Sequence, residues 1–496
     1  MLSLKNKRVN YSFFNTTFVI TVLISVTLIR IYSLIVSPIE LSVDEAQYWD
    51  WSRNLDFGYF TKPPLIAWTI AITTSIFGNE EWAVRLSSPI FHFLTSIVLW
   101  KCGQVAFSFN TGRIAALIWI FTPAASLGSF IISTDTPLIL FWALSLLFLF
   151  KIFKNNSYNL ALGLGICIGL AFLSKYAALY FIIFFIIWWA LYDRGFDLDI
   201  KRILIVIFSS LIVSASNIYW NYLNDFVTVN HTVSNADLSE IQLNYNNVID
   251  FVSSQLLVFG PIIFLIFLLL VFDGFVKNKK LALLAMLSLP IIILITIQSS
   301  LKIANPNWAV TSYVAASLLL SFYITSSRSK FLRFSFNSGL LLNFIISAYI
   351  LKVTMLGSFL PINLKSDPLR KNLGFEILAT KIDEIINKND ISKVVFERRG
   401  DITRFNYYLN RDKNKHQNKI YLKTSSITPG NFYEANFNFD NSQKSLGERI
   451  LIVSNSPNIE TNKYGNIYNV KFMEAISSNT VKDLKRVYYL FEGTYE

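Results

Sequence analysis

Two neighbouring carboxylates, Asp44 and Glu45, follow an apolar segment long enough to span a membrane. A carboxyl group at a membrane boundary is partly desolvated, which tends to raise its pKa. Such a group can act as a general base or bind a cation. A structural role is the alternative, because an acidic residue before a helical run is also a good N-cap.

The same loop continues to a cation and a rigid turn. Lys62 precedes Pro63 and Pro64, and Tyr48 and Tyr59 belong to an aromatic group in the loop. A cation, a rigid turn and aromatic rings suit recognition of a phosphate and a sugar ring. Aromatic residues are also common in the belts at membrane interfaces, so alone they are weak support.

Two later turns carry charged residues between apolar runs. Asp135 stands before Pro137 at the start of a helical run, which also suits a helix cap. Lys175 and Tyr176 lie between two apolar runs, and a partly buried lysine there indicates an anionic partner, such as a phosphate, Asp44 or Asp135. The alternative for Lys175 is snorkelling to the lipid surface.

Further polar and aromatic residues stand in or near other turns. They are Arg85, Trp220, Asn221, His231, Asn307 and Trp308. Arg85 could contact a phosphate or snorkel at a helix end. His231 is the only one of the three histidines that we place at the outer face, where it could bind a metal or exchange a proton, although a lone loop histidine more often does neither.

These turns are separated by apolar blocks of about 20 residues, the length that crosses the hydrocarbon core. Hydrophobic residues make up 53% of the 496 residues and charged residues only 15%, against about 25% charged in soluble proteins. The pattern predicts an α-helical polytopic membrane protein with about eleven transmembrane helices. We expect them at roughly 15–38, 84–107, 112–131, 136–153, 158–173, 176–192, 202–222, 249–272, 280–298, 308–326 and 334–357.

The positive charges predict the orientation. If the 13-residue apolar segment 65–77 lies in the interface or re-enters the membrane, the inner loops after the first large loop contain thirteen Lys and Arg residues, and the outer loops over the same stretch contain only Lys175 and Lys302. The N-terminus is then cytoplasmic and the polar turns meet the periplasm. The net charge of +12 therefore reports topology and does not indicate nucleic acid. Cys102 and Cys167 lie in separate apolar blocks, so no disulfide framework is indicated.

The chain divides into two predicted domains. Residues 1–360 form the transmembrane domain, with periplasmic loops at 40–83 and 223–248. Residues 361–496 have mixed polar composition, with β-like runs at 393–396 and 449–453 and a helical pattern at 375–386, which predicts a small soluble periplasmic α/β domain.

The motifs that are absent from the sequence limit which kind of sugar donor the protein can use. The sequence contains no P-loop, no glycine-rich dinucleotide loop, no His-Glu-x-x-His and no Gly-x-Ser-x-Gly. The inner loops are too short to build a site for a nucleotide-linked donor, so we expect no nucleotide cofactor. A donor that can be used from outside points to a lipid-linked sugar.

Five motifs in order resemble bacterial members of glycosyltransferase family 39, relatives of protein O-mannosyltransferases and lipid A aminoarabinose transferases within the glycosyltransferase-C superfamily. They are Asp44-Glu45-Ala46-x-Tyr48-Trp49, Gly58-Tyr59-Phe60-x-x-Pro63-Pro64, Val84-Arg85-Leu86, Thr134-Asp135-Thr136-Pro137-Leu138 and Leu173-Ser174-Lys175-Tyr176. Trp220-Asn221 with His231, and Asn307-Trp308, extend the similarity over roughly residues 40–310.

The resemblance implies a polyprenyl-phosphate sugar donor, an outer-face site in the bacterial inner membrane and inversion at the anomeric carbon. By position, Asp44 is the catalytic carboxylate, Glu45 supports its loop and Asp135 is the second acidic residue. Lys62 matches a lysine that binds the donor phosphate, and cations such as Arg85 and Lys175 would stabilise the leaving phosphate.

The acceptor could be lipid A or another glycolipid, a polysaccharide or a protein, as in cell-envelope glycan synthesis. Tyr48, Tyr59 and Tyr176 are expected to contact substrate, as are Trp220, Asn221, His231, Asn307 and Trp308. A divalent metal is possible, with Asp44 and His231 as candidate ligands. Two departures stand out: Thr61 replaces an acidic residue of the aminoarabinose branch, and Gln47 replaces an arginine. The alternative function is a lipid or glycan transporter or flippase without transferase activity.

Overall fold

The structure is a computed structural model that describes most of the chain in two compact units. The described residues are 15–193, 199–236, 243–358, 368–412, 419–424, 429–442, 445–460, 464, 467–481 and 484–495. The first unit comprises Met1–Ser33, Lys62–Ile66 and Arg85–Lys352, and the second comprises Leu34–Thr61, Ala67–Val84 and Val353–Glu496. Residues 34–61 and 67–84 thus group with the tail, whereas the division predicted from sequence places them with the transmembrane helices.

Helices dominate the first 356 residues. In chain order they are α1 (Thr16–Val36), α2 (Val43–Trp51), α3 (Leu65–Phe77), α4 (Glu81–Arg85), α5 (Ser87–Ala106), α6 (Phe109–Ile120), α7 (Pro123–Gly128), α8 (Asp135–Ile152), α9 (Tyr158–Ser174), α10 (Leu179–Tyr192), α11 (Ile200–Leu223), α12 (Val227–Ala236), α13 (Tyr245–Phe259), α14 (Pro261–Lys277), α15 (Lys279–Met286), α16 (Leu289–Leu301), α17 (Ser312–Ser326) and α18 (Lys330–Leu356). Short 3-10 helices cover Tyr176–Ala178 and Pro306–Ala309.

The predicted class, a multi-pass helical membrane protein, agrees with the lengths of these elements. Within the described residues, six helical elements are long and apolar enough to cross a membrane: Thr16–Val36, Glu81–Ala106, Asp135–Ile152, Ile200–Leu223, Lys279–Leu301 and Lys330–Leu356. A seventh span results if the bent pair α13 and α14 is counted as one. Helix occupies part of each of the eleven predicted segments, but the count of eleven crossings stays a prediction.

Two predicted spans are not single straight helices. Segment 112–131 breaks between α6 and α7, where Pro123 starts the new helix. Segment 249–272 bends by 106° between α13 and α14. Gly260 forms that bend with φ of +98°, and the Asn343 side chain donates to the freed Phe259 carbonyl at 3.0 Å.

Small residues let the helices of the first unit approach closely. A side chain at Gly103 would overlap the backbone of Gly112, and one at Gly165 would overlap the α11 backbone and Ser209. Lipid gives no hydrophobic drive for helix association, so such close backbone packing is a main source of cohesion between membrane helices.

Helix α3 has the bounds predicted for the interfacial segment. It covers Leu65–Phe77 and ends at Gly78, whose φ is +83°. Ile72, Ile76 and Phe77 are large apolar side chains with between 49% and 67% of their surface exposed. Exposed apolar side chains on a short helix suit contact with lipid, although its place in the membrane stays a prediction.

The tail forms the α/β structure that its sequence predicts. Its helices are α19 (Phe375–Asn389), α20 (Arg399–Asn410) and α21 (Phe432–Asn436), with 3-10 turns at Pro368–Asn372 and Phe439–Asn441. Its strands are β1 (Lys393–Phe396), β2 (Lys419–Leu422), β3 (Arg449–Ser454), β4 (Ile467–Val481) and β5 (Leu484–Tyr495). The strand order is β2-β1-β3-β5-β4, parallel from β2 to β3 and antiparallel from β3 onwards.

Both faces of this sheet are covered, which explains the continuous apolar runs of β1 and β3. Val394 and Leu451 face a core that includes Phe375 and Ile382 of α19, while Val395 and its neighbours face a second, smaller core. The buried residues of α19 recur at helical spacing, so one stripe of the helix packs on the sheet.

Candidate active site

The two adjacent carboxylates of α2 have different surroundings. Ser42 is the N-cap, its hydroxyl accepts from the Glu45 backbone N–H at 3.4 Å, and the Glu45 carboxylate accepts from the Ser42 N–H at 3.0 Å. This capping box buries Glu45 to 1% exposure. The Asp44 side chain is 66% exposed. Glu45 therefore holds the start of the helix, and Asp44 is the carboxylate that can meet a substrate.

An arginine of the tail contacts Asp44. The Arg399 Nη2 atom donates to Asp44 Oδ1 at 3.1 Å and to Gln47 Oε1 at 2.6 Å, and its Nε donates to the same Gln47 oxygen at 3.1 Å. Arg399 is the first residue of α20, and its side chain is 37% exposed. Sequence reasoning missed this residue. The only signal was Gln47, a neutral residue where the resembling branch has an arginine.

The aromatic residues of the first loop fix its shape. Tyr59 stacks on Trp51 with ring centroids 4.6 Å apart, and its hydroxyl donates to the carbonyls of Trp51 and Asn54 at 3.0 and 3.1 Å. Burial raises the pKa of Tyr59 to about 12. Tyr48 packs against the other side of Trp51, at 5.4 Å between centroids. Both tyrosines are at least 94% buried, so they support the loop that carries Asp44.

A further carboxylate of α2 was missed by sequence reasoning. Asp50 lies near the C-terminal end of the helix, next to the Tyr433 hydroxyl and the Asn406 amide. Burial raises its pKa to about 6, and the two polar neighbours offset part of that shift. Asp50 therefore needs a polar partner at neutral pH, because a buried carboxylate is costly without one.

Three predicted motifs of the first unit converge on Asp135. The Lys175 ammonium donates to Asp135 Oδ1 at 2.7 Å, and the Asn307 amide donates to Asp135 Oδ2 at 2.5 Å. The side chains of Lys175 and Asp135 are 21% and 10% exposed. A charge pair at this depth is stabilised by its added hydrogen bond. Of the two readings of Lys175, the structure has the ion pair with Asp135.

Next to this cluster, Tyr176 joins the end of α11. Its hydroxyl donates to Asn217 Oδ1 at 3.0 Å and accepts from the Asn221 amide at 3.0 Å. The predicted residues Trp220 and His231 are each partly buried on α11 and α12. Tyr176 and Asn221 are thus in direct contact, and Asn217 of the same helix also binds the Tyr176 hydroxyl.

The remaining predicted cations and aromatics have mixed exposure. Lys62 is partly buried. Arg85 is only 1% exposed, and its guanidinium lies over the Phe130 ring at 4.6 Å from the centroid. Trp308 is partly buried and packs against the main apolar core of the first unit. Among the donor-phosphate candidates, Arg85 has the least surface to offer a ligand.

A metal site has no further support. Within the described residues, no group of three His, Cys, Asp or Glu side chains stands close enough to hold a metal ion. Asp44 and His231 stay predicted ligands only.

Comparison with known proteins identifies relatives. The family model described as dolichyl-phosphate-mannose-protein mannosyltransferase matches residues 61–220. The lipid A galacturonosyltransferase RgtD of Rhizobium johnstonii is 31% identical over 420 residues, which cover 84% of this chain and 87% of that protein.

Solved structures agree in fold. ArnT from Cupriavidus metallidurans in the apo state superposes with a TM-score of 0.65 at 12% identity, over 96% of this chain and 98% of that one. Its complex with undecaprenyl phosphate gives the same TM-score at 13% identity, with the same coverage. At such identity the likeness shows the fold alone. With the sequence identity to RgtD, the comparisons confirm the resemblance: the chain belongs to glycosyltransferase family 39 of the glycosyltransferase-C superfamily, among the relatives of protein O-mannosyltransferases and lipid A glycosyltransferases.

Proposed function

We propose that this enzyme transfers a uronic acid, such as galacturonic acid, from a polyprenyl-phosphate donor to lipid A at the periplasmic face of the inner membrane. The observation that carries the proposal is the 31% identity to a lipid A galacturonosyltransferase over 84% of the chain. The bound undecaprenyl phosphate in ArnT supports a polyprenyl-phosphate donor, and the excess of Lys and Arg in the predicted inner loops supports the periplasmic site.

In the proposed reaction, Asp44 acts as the general base. Its exposed carboxylate takes the proton from an acceptor hydroxyl while that oxygen attacks the anomeric carbon of the donor sugar. The bond from this carbon to the phosphate oxygen breaks in the same displacement, so the configuration inverts and polyprenyl phosphate leaves with the electron pair. The proton on Asp44 then passes to water.

The leaving phosphate needs a cation, and Lys62 is our first choice. Lys62 matches the lysine that binds the donor phosphate in the family that the sequence resembles, and Arg85 is buried against Phe130. Lys62 keeps part of its surface exposed. A cation held at the departing oxygen stabilises the charge that develops there.

The proposed donor sugar explains why an arginine, Arg399, lies beside Asp44. A uronic acid carries a carboxylate, and a guanidinium binds carboxylates well through paired hydrogen bonds. The Arg399 Nη2 atom donates hydrogen bonds to Asp44 and Gln47, and its Nε atom donates one to Gln47. Its Nη1 makes no hydrogen bond to any described residue, so we infer that it can receive an anionic group of the donor.

The test is transfer by the purified full-length protein in detergent, with polyprenyl-phosphate galacturonic acid and lipid A. We expect sugar-modified lipid A and released polyprenyl phosphate. Asp44→Asn should lower kcat by about 10²- to 10⁴-fold, the usual contribution of a general base. The matched control is Asp56→Asn, an exposed carboxylate of the same loop, which should retain activity. Full activity of Asp44→Asn, or no transfer by the unmodified protein, would contradict the proposal.

A further inference from the structure

A cavity opens inside the second unit, beside the C-terminal half of α2. Its volume is about 760 Å³, and its walls come from α2, α3, α20, β2 and residues 52–54, 79 and 436–437. This size lies within the range of small-molecule sites, roughly 300–1,000 Å³. None of the predicted site residues lines it, although Trp49 belongs to the first motif, and the proposed chemistry does not use it.

The lining is unusually polar for a ligand site. Ten of its fifteen residues are Asn, Ser or charged, and five of these are asparagines. Ligand sites are usually lined mainly by apolar side chains. An amide can donate and accept hydrogen bonds at once, as a sugar hydroxyl can, so asparagines suit a polyhydroxylated ligand. Trp49, Tyr421 and Phe437 add aromatic surface, which suits the apolar faces of sugar rings.

Hydrogen bonds between its own side chains hold one wall of the cavity in place. The Arg53 guanidinium donates to Asn79 Oδ1 at 2.9 Å and to Thr74 Oγ1 at 2.5 Å, and the Trp49 indole donates to the same Asn79 oxygen at 3.1 Å. These residues are held by one another and need not move to receive a ligand, which lowers the entropic cost of binding.

Other lining groups remain available to a ligand. Asn54 and Lys419 are exposed, and their side chains form no hydrogen bond to any described residue. A polar rim of this kind can bind hydroxyl groups, and Lys419 can also bind an anionic substituent such as a phosphate. The cavity thus has one wall held by hydrogen bonds and, at its rim, two polar side chains, Asn54 and Lys419, that a ligand can bind.

The position of the cavity favours a lipid-anchored ligand. Ala71 and Ser75 of α3 line it, while the neighbouring residues Ile72 and Ile76 expose 62% and 67% of their surface, as lipid-facing side chains would. Asp50, which also lines it, follows Asp44 by six residues of the same helix, or about 9 Å along the axis. A saccharide held here would lie within a short distance of the proposed base.

We propose that this cavity binds the saccharide head group of the glycolipid acceptor. The inference rests on the proposed function, because it takes lipid A as the acceptor. It adds a binding site for the part of the acceptor that does not react. Binding there would position the reacting hydroxyl without any change in donor binding.

The test fills the cavity. Ser75→Trp places a large side chain in it, and Ile76→Trp is the matched control, since that side chain points away from the cavity and is 67% exposed. We expect Ser75→Trp to raise the KM for lipid A roughly tenfold or more, with the KM for the donor unchanged. Ile76→Trp should change neither constant.

Direct binding separates this inference from the proposed function. The probe is the deacylated disaccharide head group of lipid A, titrated calorimetrically into the full-length protein. Binding by the unmodified protein and by Ile76→Trp, with loss in Ser75→Trp, supports the cavity whether or not transfer is observed. Equal binding by all three, or none by the unmodified protein, overturns it. If Ser75→Trp fails to fold, the double variant Asn54→Ala/Lys419→Ala replaces it, with the same expected loss.

Discussion

Asp44 and Glu45 are chemically equivalent neighbours, and their different roles come from the hydrogen bonds around them. A helix leaves its first N–H groups without partners, and the Glu45 carboxylate accepts one from Ser42. Asp44, one position earlier in the first turn, points to solvent and contacts only Arg399 among charged side chains of the described residues. The cap thus fixes the direction in which Asp44 presents its carboxylate.

Arg399 carries the first prediction at this scale. Arg399→Ala should lower kcat/KM by about 10- to 100-fold with a uronic acid donor, the loss expected for one hydrogen bond to a charged group, about 1.5–3 kcal/mol. The measurement is steady-state transfer with two donors, polyprenyl-phosphate galacturonic acid and the corresponding neutral hexose. A fall with the uronic acid alone assigns Arg399 to the sugar carboxylate. A fall with both donors assigns it to a role that both share, at the phosphate or through Asp44, to which Arg399 donates at 3.1 Å.

If Arg399 had a purely structural role, its replacement would lower the thermal stability of the protein. The pair with Asp44 is exposed on both sides, and such pairs add only about 0–1 kcal/mol to stability. We therefore expect the thermal midpoint of Arg399→Ala to stay within a few degrees of the unmodified protein. Arg399→Lys keeps the charge without the planar fork and should recover activity only in part. Unchanged kinetics with both donors would remove Arg399 from the site.

Sequence reasoning reached residues that lie in motifs and missed those that lie elsewhere. Asp135 was offered as a partner of Lys175, and the structure has that ion pair. Asn307 was predicted as a substrate contact, and it also binds Asp135. Arg399 and Asp50 stand in no motif: one lies 355 positions beyond its partner Asp44, and the other looks like any acidic residue of a helix until its burial is known.

At the scale of elements, local sequence patterns predicted the helices and strands better than they predicted the points where a helix is interrupted. The periodic stripe of α19 and the apolar runs of β1 and β3 were predicted, because burial on one or both faces leaves a clear pattern. The bend at Gly260 was not, since an isolated glycine in an apolar run is also tolerated inside a membrane helix. The Asn343 amide, 84 residues from its acceptor Phe259, satisfies the carbonyl there.

The bend gives a prediction about stability. Gly260→Ala must adopt a positive φ, and its methyl group would also overlap the Asn343 side chain. Gly78→Ala is the matched control, because Gly78 also has a positive φ, +83°, with no atom within 4 Å of the added carbon. We expect Gly78→Ala to cost about 1–2 kcal/mol from backbone strain alone.

Gly260→Ala should cost a further ~1–3 kcal/mol from overpacking, or fail to fold. The measurement is the thermal midpoint of both variants in the same detergent. Equal losses in the two variants would show that the overlap with Asn343 relaxes freely, and that the bend does not depend on close packing at this position.

At the scale of the whole molecule, the predicted orientation rests on the distribution of positive charge alone. After the first large loop, thirteen Lys and Arg residues lie in the predicted inner loops and two in the outer loops, which predicts that α3 does not cross the membrane. An additional crossing at α3 would reverse every later loop and the tail, so Arg399 would lie on the opposite side of the membrane from Asp44, which precedes α3. The proposed periplasmic reaction therefore requires that α3 does not cross the membrane.

Cysteine labelling tests this orientation in cells. The two native cysteines are buried, so single cysteines at exposed positions will dominate the reaction with a membrane-impermeant maleimide. Lys302→Cys, in a predicted outer turn, and Leu446→Cys, in the tail, should label in intact spheroplasts. Lys330→Cys, at a predicted inner end, should label only after permeabilisation. All three positions are exposed in the structure, so differences in labelling report the side of the membrane, and the reverse pattern would contradict the predicted orientation of the later loops and the tail.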